Sequence, residues 1–215
     1  MNESAGRSAA LTGDTTLELT EFDTPPAEPL DLLSTWLDSA AQRGVREPNA
    51  AVLATSDGGG RPSARVLLIK EFDGRGLVFG SARGSRKGRD LAERPWASLS
   101  FYWRETLQQL TVTGPVEVLS PVASDALFAA RPEAARAASA VSEQSRPLTD
   151  DDALRARARD LLTAGGPVSR PEGWVGYRLV PESIEFWYGS PDRLHRRLRY
   201  DRAPDESWSW ERLQP

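Results

Sequence analysis

Residues 49–119 are broken by turn signals every few residues, and this spacing limits the fold more than any other feature of the chain. "AAVLATS" (50–56) and "SARVLLIKEF" (63–72) are apolar, β-prone runs on either side of "DGGGRP", a hairpin-type link. "FDGRG" is a second turn and "LVFGS" (77–81) a third strand. "ASLSFYW" (97–103) and "QQLTVTGPVEVL" (108–119) extend the series. Near the end, "WVGYRLV" (174–180), "SIEFWYG" (183–189) and "RLHRRLRY" (193–200) read as three more strands, with "SWSWERLQP" (207–215) as a closing edge strand. Antiparallel strands with short links build a barrel or a sandwich. The expected class is mainly β (α+β): one antiparallel barrel decorated with helices.

The helices have their own signals. Leu30, Leu33, Trp36, Leu37 and Ala40 recur at three- and four-residue spacing, and Gly44 is placed to stop that helix. "GSRKGRDLAERP" (84–95) is a short helix with Ser85 as N-cap and Pro95 as stop. Ser120-Pro121 opens another, with proline at the first helical position. "TDDDALRARARDLLTAGG" (149–166) is acidic at its start and ended by glycines. Residues 1–25 are small, polar and aperiodic, and read as a flexible arm. Residues 26–215 carry no repeat and no visible boundary, and read as a single domain.

Composition removes several function classes. The chain has no cysteine and one histidine, so disulfides, thiol nucleophiles and ordinary zinc or iron sites are not expected. A formal charge of −4 gives no basic field for nucleic acid. No apolar run reaches the length of a membrane span, and the first residues lack a secretory apolar core, so a cytoplasmic protein is expected.

Against that acidic background, two stretches concentrate positive charge. In "GSRKG", Arg86 and Lys87 occupy the first turn of a helix. There they oppose the helix dipole by about 0.3–1 kcal/mol each, a cost that a bound anion would reverse. In "DRLHRRLRY", strand alternation puts Arg193, His195, Arg197 and Arg199 on one face. Ion pairs with the chain's own carboxylates and an anionic ligand both account for that face. Arg65 and Lys70 bound an apolar strand, Gln109 sits in an otherwise apolar one, and Trp187 reads as core or as a cofactor wall.

Taken in order, "EPNAAVLATSD", "ARVLLIK", "LVFGSARGSRKG", "QSR", "IEFW", "RLHRR" and "WERLQP" resemble the pyridoxamine 5'-phosphate oxidase family. The resemblance runs from about residue 26 to the C-terminus. It implies a split β-barrel and a homodimer with FMN at the subunit interface. It also implies that Arg65, Arg86, Lys87, Gly80 and Ser81 hold the flavin phosphate and ribityl chain, with Val66, Leu67, Leu68 and Lys70 alongside. Gln109, Gln144, Ser145, Trp187 and Arg197 complete the flavin site. Lys70, Arg131, Arg193 and His195 face the substrate, with Arg193 and His195 as the catalytic pair.

Two departures bear on the substrate. Where the pyridoxal-forming enzymes use a tyrosine and a serine on the substrate phosphate, this chain has Leu127 and Ala135. Each lost hydrogen bond to a charged group weakens binding by roughly 1.5–3 kcal/mol. The Arg-x-x-Tyr of the family's arm is absent from residues 1–25. An aromatic carboxylate suits such a pocket better than a phosphate ester, and the pattern resembles the phenazine-biosynthesis branch of the family. The expected reaction is oxidation of a dihydrophenazine carboxylate, with electrons passed to O2 to give H2O2. The alternatives are a pyridoxine/pyridoxamine 5'-phosphate oxidase, a non-catalytic flavin- or haem-binding barrel, and a deazaflavin-dependent reductase.

Overall fold

A computed structural model describes residues 12–215. A 3-10 turn at Thr20–Phe22 leads to α1 (Pro29–Gln42), then β1 (Ala50–Ser56), β2 (Pro62–Leu68), β3 (Glu71–Phe72) and β4 (Leu77–Ala82). Next come α2 (Arg86–Glu93), β5 (Trp96–Trp103) and β6 (Gln108–Val118). Three helices follow: α3 (Pro121–Ala129), α4 (Glu133–Val141) and α5 (Asp151–Ala164). The last strands are β7 (Trp174–Leu179), β8 (Ser183–Tyr188), β9 (Arg196–Arg202) and β10 (Trp208–Leu213). The chain is mainly β, as expected.

The contacts divide it into two compact units. The first holds the described residues up to Ala51, with Ser100–Val112 and Glu182–Pro215; the second holds Val52–Leu99 and Thr113–Pro181. β1, β5 and β6 each contribute to both, which is why no linker marks a boundary in the sequence. Strand order in the first unit is β10-β9-β8-β6-β5. In the second, β6-β5-β1-β2 runs one way and β6-β7-β4-β3 the other. The β9–β10, β8–β9, β4–β7, β6–β7 and β3–β4 ladders are antiparallel.

The first unit is cored by aromatic rings. Trp36 of α1 packs on Phe186 of β8 at 4.9 Å between centroids, and on Phe22 and Trp103 at 6.1 and 6.2 Å. Phe186 meets Tyr200 of β9 edge-on. Burying each such ring contributes on the order of 1.5–3 kcal/mol. The buried stripe of α1 is Leu32, Leu33, Trp36 and Ala40, turned slightly from the expected one, so that Leu30 and Leu37 lie at its margins. Gly44 ends the helix at φ +77°, with the Val45 N–H donating to Ala40 O and the Gly44 N–H to Ala41 O. This is the paired closure that glycine in the left-handed region permits.

Part of the segment read as an arm is tied down in this unit. The Asp14 N–H donates to Glu105 O at 2.9 Å, the Tyr188 hydroxyl donates to Asp14 O at 3.1 Å, and Phe22 is buried. Residues 1–11 lie outside the described residues.

In the second unit, Phe79 stacks on Tyr177 at 5.3 Å and Phe128 meets Trp174 edge-on at 5.1 Å. The Ser85 and Ser120 caps fall where the sequence places them, their side chains accepting from Gly88 and Ala123 N–H groups, and Asp150 caps α5 by accepting from Ala153 N–H. Gly88 is required by close approach, since a Cβ there would sit 2.3 Å from Arg83 O. Two expectations change. The run 63–72 is not one strand but β2 and β3, broken at Ile69 and Lys70. α4 has no counterpart in the reading above. Among the described residues, no helix is long and apolar enough to cross a membrane.

Candidate active site

The second unit contains a cleft of about 830 Å³. β2 supplies Arg65, Val66 and Leu67 to its wall, and β4 supplies Gly80 and Ser81. α2 contributes Lys87, and α4 contributes Ala135, Ala138 and Ser139; Arg131, Gln144 and Trp174 also line it, as do Ser142 and the Glu143–Arg146 ion pair. Gly80 lets the backbone meet Trp174, because a Cβ there would fall 2.3 Å from the ring. Most of these positions owe their direction to strand alternation: Ser63, Arg65 and Leu67 share one face of β2, while Val66 and Leu68 are exposed on the other.

Lys87 is the central charge. It lies in the first turn of α2 and is only 8% exposed, yet Nζ is held by neutral groups, Ser85 Oγ at 3.3 Å and Gln144 Oε1 at 3.2 Å. Burial, with Arg65 adding to it, pushes the ammonium down to about 8. Among the described residues, no carboxylate lies within ion-pair distance of it. Ser81 donates to the same Gln144 Oε1 at 3.3 Å.

Arg65 is fixed from behind. Its NH1 donates to Leu53 O at 3.1 Å and to Thr55 Oγ1 at 2.8 Å, and its NH2 donates to Ser63 Oγ at 2.6 Å. Both hydroxyls pass their own protons to Asp90 Oδ2, at 2.6 and 2.9 Å. Guanidinium and carboxylate are thus 3.9 Å apart but bridged twice. Burial pushes the Asp90 carboxyl up, but hydrogen bonds from Thr55 and Ser63 and the charges of Arg65 and Arg86 outweigh it. The carboxyl is held below its usual range and stays ionised.

Arg131 is a second half-buried cation, with no carboxylate within ion-pair distance among the described residues. Its guanidinium lies 5.0 Å from the Trp174 ring and 5.5 Å from Phe128, and it donates to Ser139 Oγ at 2.8 Å. Burial holds it below its ordinary value. Ala135 lines the cleft beside it and offers no hydroxyl. Leu127 packs toward Gly176.

Of the residues expected in a flavin site, the cleft therefore gathers Arg65, Val66, Leu67, Gly80, Ser81, Lys87 and Gln144, and of those expected to face the substrate it gathers Arg131. Arg86 is exposed, and its backbone N–H donates to Ser145 Oγ at 3.2 Å, so Ser145 covers the start of α2 with its own φ at +73°. Leu68 and Lys70 are exposed and do not line the cleft.

Gln109, Trp187, Arg193, His195 and Arg197 belong to the first unit. There the expected strand starts later than 193. β9 begins at Arg196, and Arg193, at φ +68°, lies with His195 on the preceding turn, so these two do not share a strand face with Arg197 and Arg199. The Asp192 side chain makes the turn by accepting from Leu194 N–H at 2.9 Å. His195 packs against Trp187 at 4.8 Å. Arg197 is clasped by Glu185 through two bonds, at 2.8 and 3.0 Å, and Arg199 pairs with Asp201 and Glu211. Gln109 donates to Thr111 Oγ1 at 3.3 Å.

Asp90, Thr55 and Ser63 were not singled out by the sequence reading. Ser63 was within reach, because it shares a face with Arg65. The role of Asp90 depends on how α2 crosses the strands, which spacing alone does not give.

Lys87 at a helix start, Arg65 beside it and Arg131 across the cleft define the class of an anion-binding site. Residues 37–164 match the pyridoxamine 5'-phosphate oxidase family, and residues 174–215 match the pyridoxine 5'-phosphate oxidase C-terminal dimerisation region. The chain belongs to this oxidoreductase family. It is 45% identical over 210 residues to the dihydrophenazinedicarboxylate synthase of Pseudomonas chlororaphis, covering 98% of this chain and 94% of that one. It is 47% identical over 190 residues to the pyridoxine/pyridoxamine 5'-phosphate oxidase of Bordetella avium, covering 88% and 90%. The crystal structure of PhzG from Burkholderia lata, in complex with tetrahydrophenazine-1-carboxylic acid, superposes with a TM-score of 0.92 at 45% identity, covering 94% of this chain and all of that one. Percentage identity alone does not separate the two activities among these relatives; the side chains of the cleft bear on that choice.

Proposed function

We propose that the protein is an FMN-dependent oxidase of a reduced, carboxylated phenazine, working as a cytoplasmic homodimer with FMN at the subunit interface. The observation that carries the flavin assignment is Lys87: a buried ammonium, beside a guanidinium, with only neutral acceptors. That donor set fits a phosphate monoester, which would accept from Lys87, Arg65 and Ser81. Bound FMN would supply a two-electron acceptor. Arg65 is held in place for this by Thr55, Ser63 and Asp90. Trp174 and the small residues Ala135 and Ala138 leave a flat, apolar wall for an aromatic ring system, and Arg131 offers a charge for its carboxylate.

Arg193 and His195 orient the substrate in this reading. Overall, the substrate gives up two electrons and two protons as it gains aromaticity, and O2 takes up the same to become H2O2. Ala135 in the cleft wall and Leu127 turned toward Gly176 stand where the pyridoxal-forming enzymes use a serine and a tyrosine, and this supports a carboxylate over a phosphate ester. The similarity to the Bordetella enzyme keeps pyridoxine 5'-phosphate as the competing substrate. Oxygen consumption by FMN-loaded protein, with a dihydrophenazine carboxylate and with pyridoxine 5'-phosphate in parallel, tests the proposal. Faster turnover of the phenazine is expected; pyridoxal 5'-phosphate as the main product overturns it.

A further inference from the structure

The only histidine of the chain sits in a turn that has already used one of its ring nitrogens. The Ser190 backbone N–H donates to His195 Nδ1 at 3.0 Å. Ser190 is itself fixed three ways. Its carbonyl accepts from Arg193 N–H at 3.1 Å, its hydroxyl donates to the Asp192 carboxylate, and it follows Gly189, whose N–H is tied to Leu107 O at 2.9 Å. The other arm of Asp192's hydrogen bonding reaches Leu194 N–H, immediately before the histidine. Trp187 packs against the ring, with centroids 4.8 Å apart and planes 46° apart. β9 starts at the next residue, so the backbone on that side is held by the ladder.

A ring nitrogen that accepts a hydrogen bond carries no proton, and in neutral imidazole the proton is then on the other nitrogen. We infer that the Ser190–His195 turn locks His195 as the Nε2–H tautomer, so that in oxidation His195 is a hydrogen-bond donor to the substrate and not the base that takes its proton. A base acting at Nε2 needs a lone pair there and hence a proton on Nδ1. That proton would point at the Ser190 N–H, so the turn would have to open first. The strained backbone of Arg193, at φ +68°, is part of the same turn and is kept by the same bonds. The donor assignment rests on the functional reading above; the tautomer does not.

The test uses FMN-loaded protein labelled with 15N at histidine, where a single residue supplies both ring signals. Nδ1 should appear as the unprotonated, pyridine-type nitrogen and Nε2 as the protonated, pyrrole-type one. A proton on Nδ1 overturns the inference, whatever the enzyme's activity. In turnover, His195→Gln keeps an N–H near Nε2 but cannot serve as a base. It should remain within about 10-fold of the wild type, whereas His195→Ala should raise KM for the carboxylate substrate by about 10- to 100-fold. If glutamine is as damaging as alanine, the donor role is wrong. If the wild type consumes no oxygen with a dihydrophenazine carboxylate while the nitrogen signals are as expected, it is the functional reading that fails.

Discussion

Two regions of this molecule gather cations and differ in what those cations touch. On β9 and its flanks, Arg196 pairs with Asp23, Arg197 with Glu185, Arg199 with Asp201 and Glu211, and Arg202 with Glu206. In the cleft, Lys87 and Arg131 are held by hydroxyls, an amide and aromatic rings, with no carboxylate within ion-pair distance among the described residues. The first region has its counter-charges within the chain, and its exposed pairs are each worth about 0–1 kcal/mol. The second carries the unmet demand of desolvated cations, and a ligand can supply what is missing. A count of arginines in the sequence ranks the regions the wrong way round; the partners rank them correctly.

The comparison can be broken most directly at Lys87. Lys87→Met should lower affinity for FMN by about 4 kcal/mol, near 1,000-fold, with a much smaller effect on riboflavin, which lacks the phosphate. Quenching of flavin fluorescence in titrations reads both numbers. Equal loss for the two ligands would mean that the lysine supports the cleft's shape and not its charge.

Asp90→Ala comes next. It strips the shared acceptor from Thr55 and Ser63 and leaves Arg65 half-buried without its counter-charge. A loss of about 3 kcal/mol in unfolding free energy is expected from urea denaturation.

pH sharpens the contrast further. In the free protein Lys87 titrates at about 8 against an ordinary 10.5, so the unfolded chain binds more protons between those values. The fold should therefore gain stability as pH rises through that window, and the penalty should be fully present below about 8. A phosphate holds the lysine charged, so FMN affinity should fall above pH 8 by up to about tenfold per pH unit. Thermal shifts with and without FMN at neutral and alkaline pH would show it; a flat profile would argue against Lys87 as the phosphate's partner.

The smallest effect belongs to β9. Arg199→Ala should change stability by no more than about 0.5 kcal/mol and leave FMN affinity alone, because both of its partners are exposed.

Much of the scaffold was readable because local chemistry decides it. Ser85 and Ser120 cap helices, Gly44 closes one, and alternation places Arg65 and Leu67 on a common face. The misreadings have local causes as well. "RLHRRLRY" has a strand's alternation, but the Asp192 carboxylate captures Leu194 N–H and delays β9 until Arg196. α4, "EAARAASAV", forms a wall of the cleft but has no large apolar side chain before Val141, so its sequence carries little signal of a buried face. Lys87 in a helix's first turn and Arg65 at the end of an apolar strand stand out from the residues alone, whereas Arg131 is marked only by the family resemblance. That Lys87 and Arg131 have no carboxylate within ion-pair distance among the described residues, while Arg65 has Asp90, is a property of three dimensions, as is the division into two units through which β1, β5 and β6 run.

Trp174 has a further consequence. Its indole fills the space that a side chain at residue 80 would need, and carries the Arg131 guanidinium 5.0 Å from its ring. Any molecule entering the cleft and drawing Arg131 aside changes the electric field on that chromophore. A Gly80→Ala protein would displace the same ring with no ligand present. Intrinsic emission from this one indole, isolated by replacing the other six tryptophans, would thus serve as a built-in gauge of occupancy that needs no dye and no turnover.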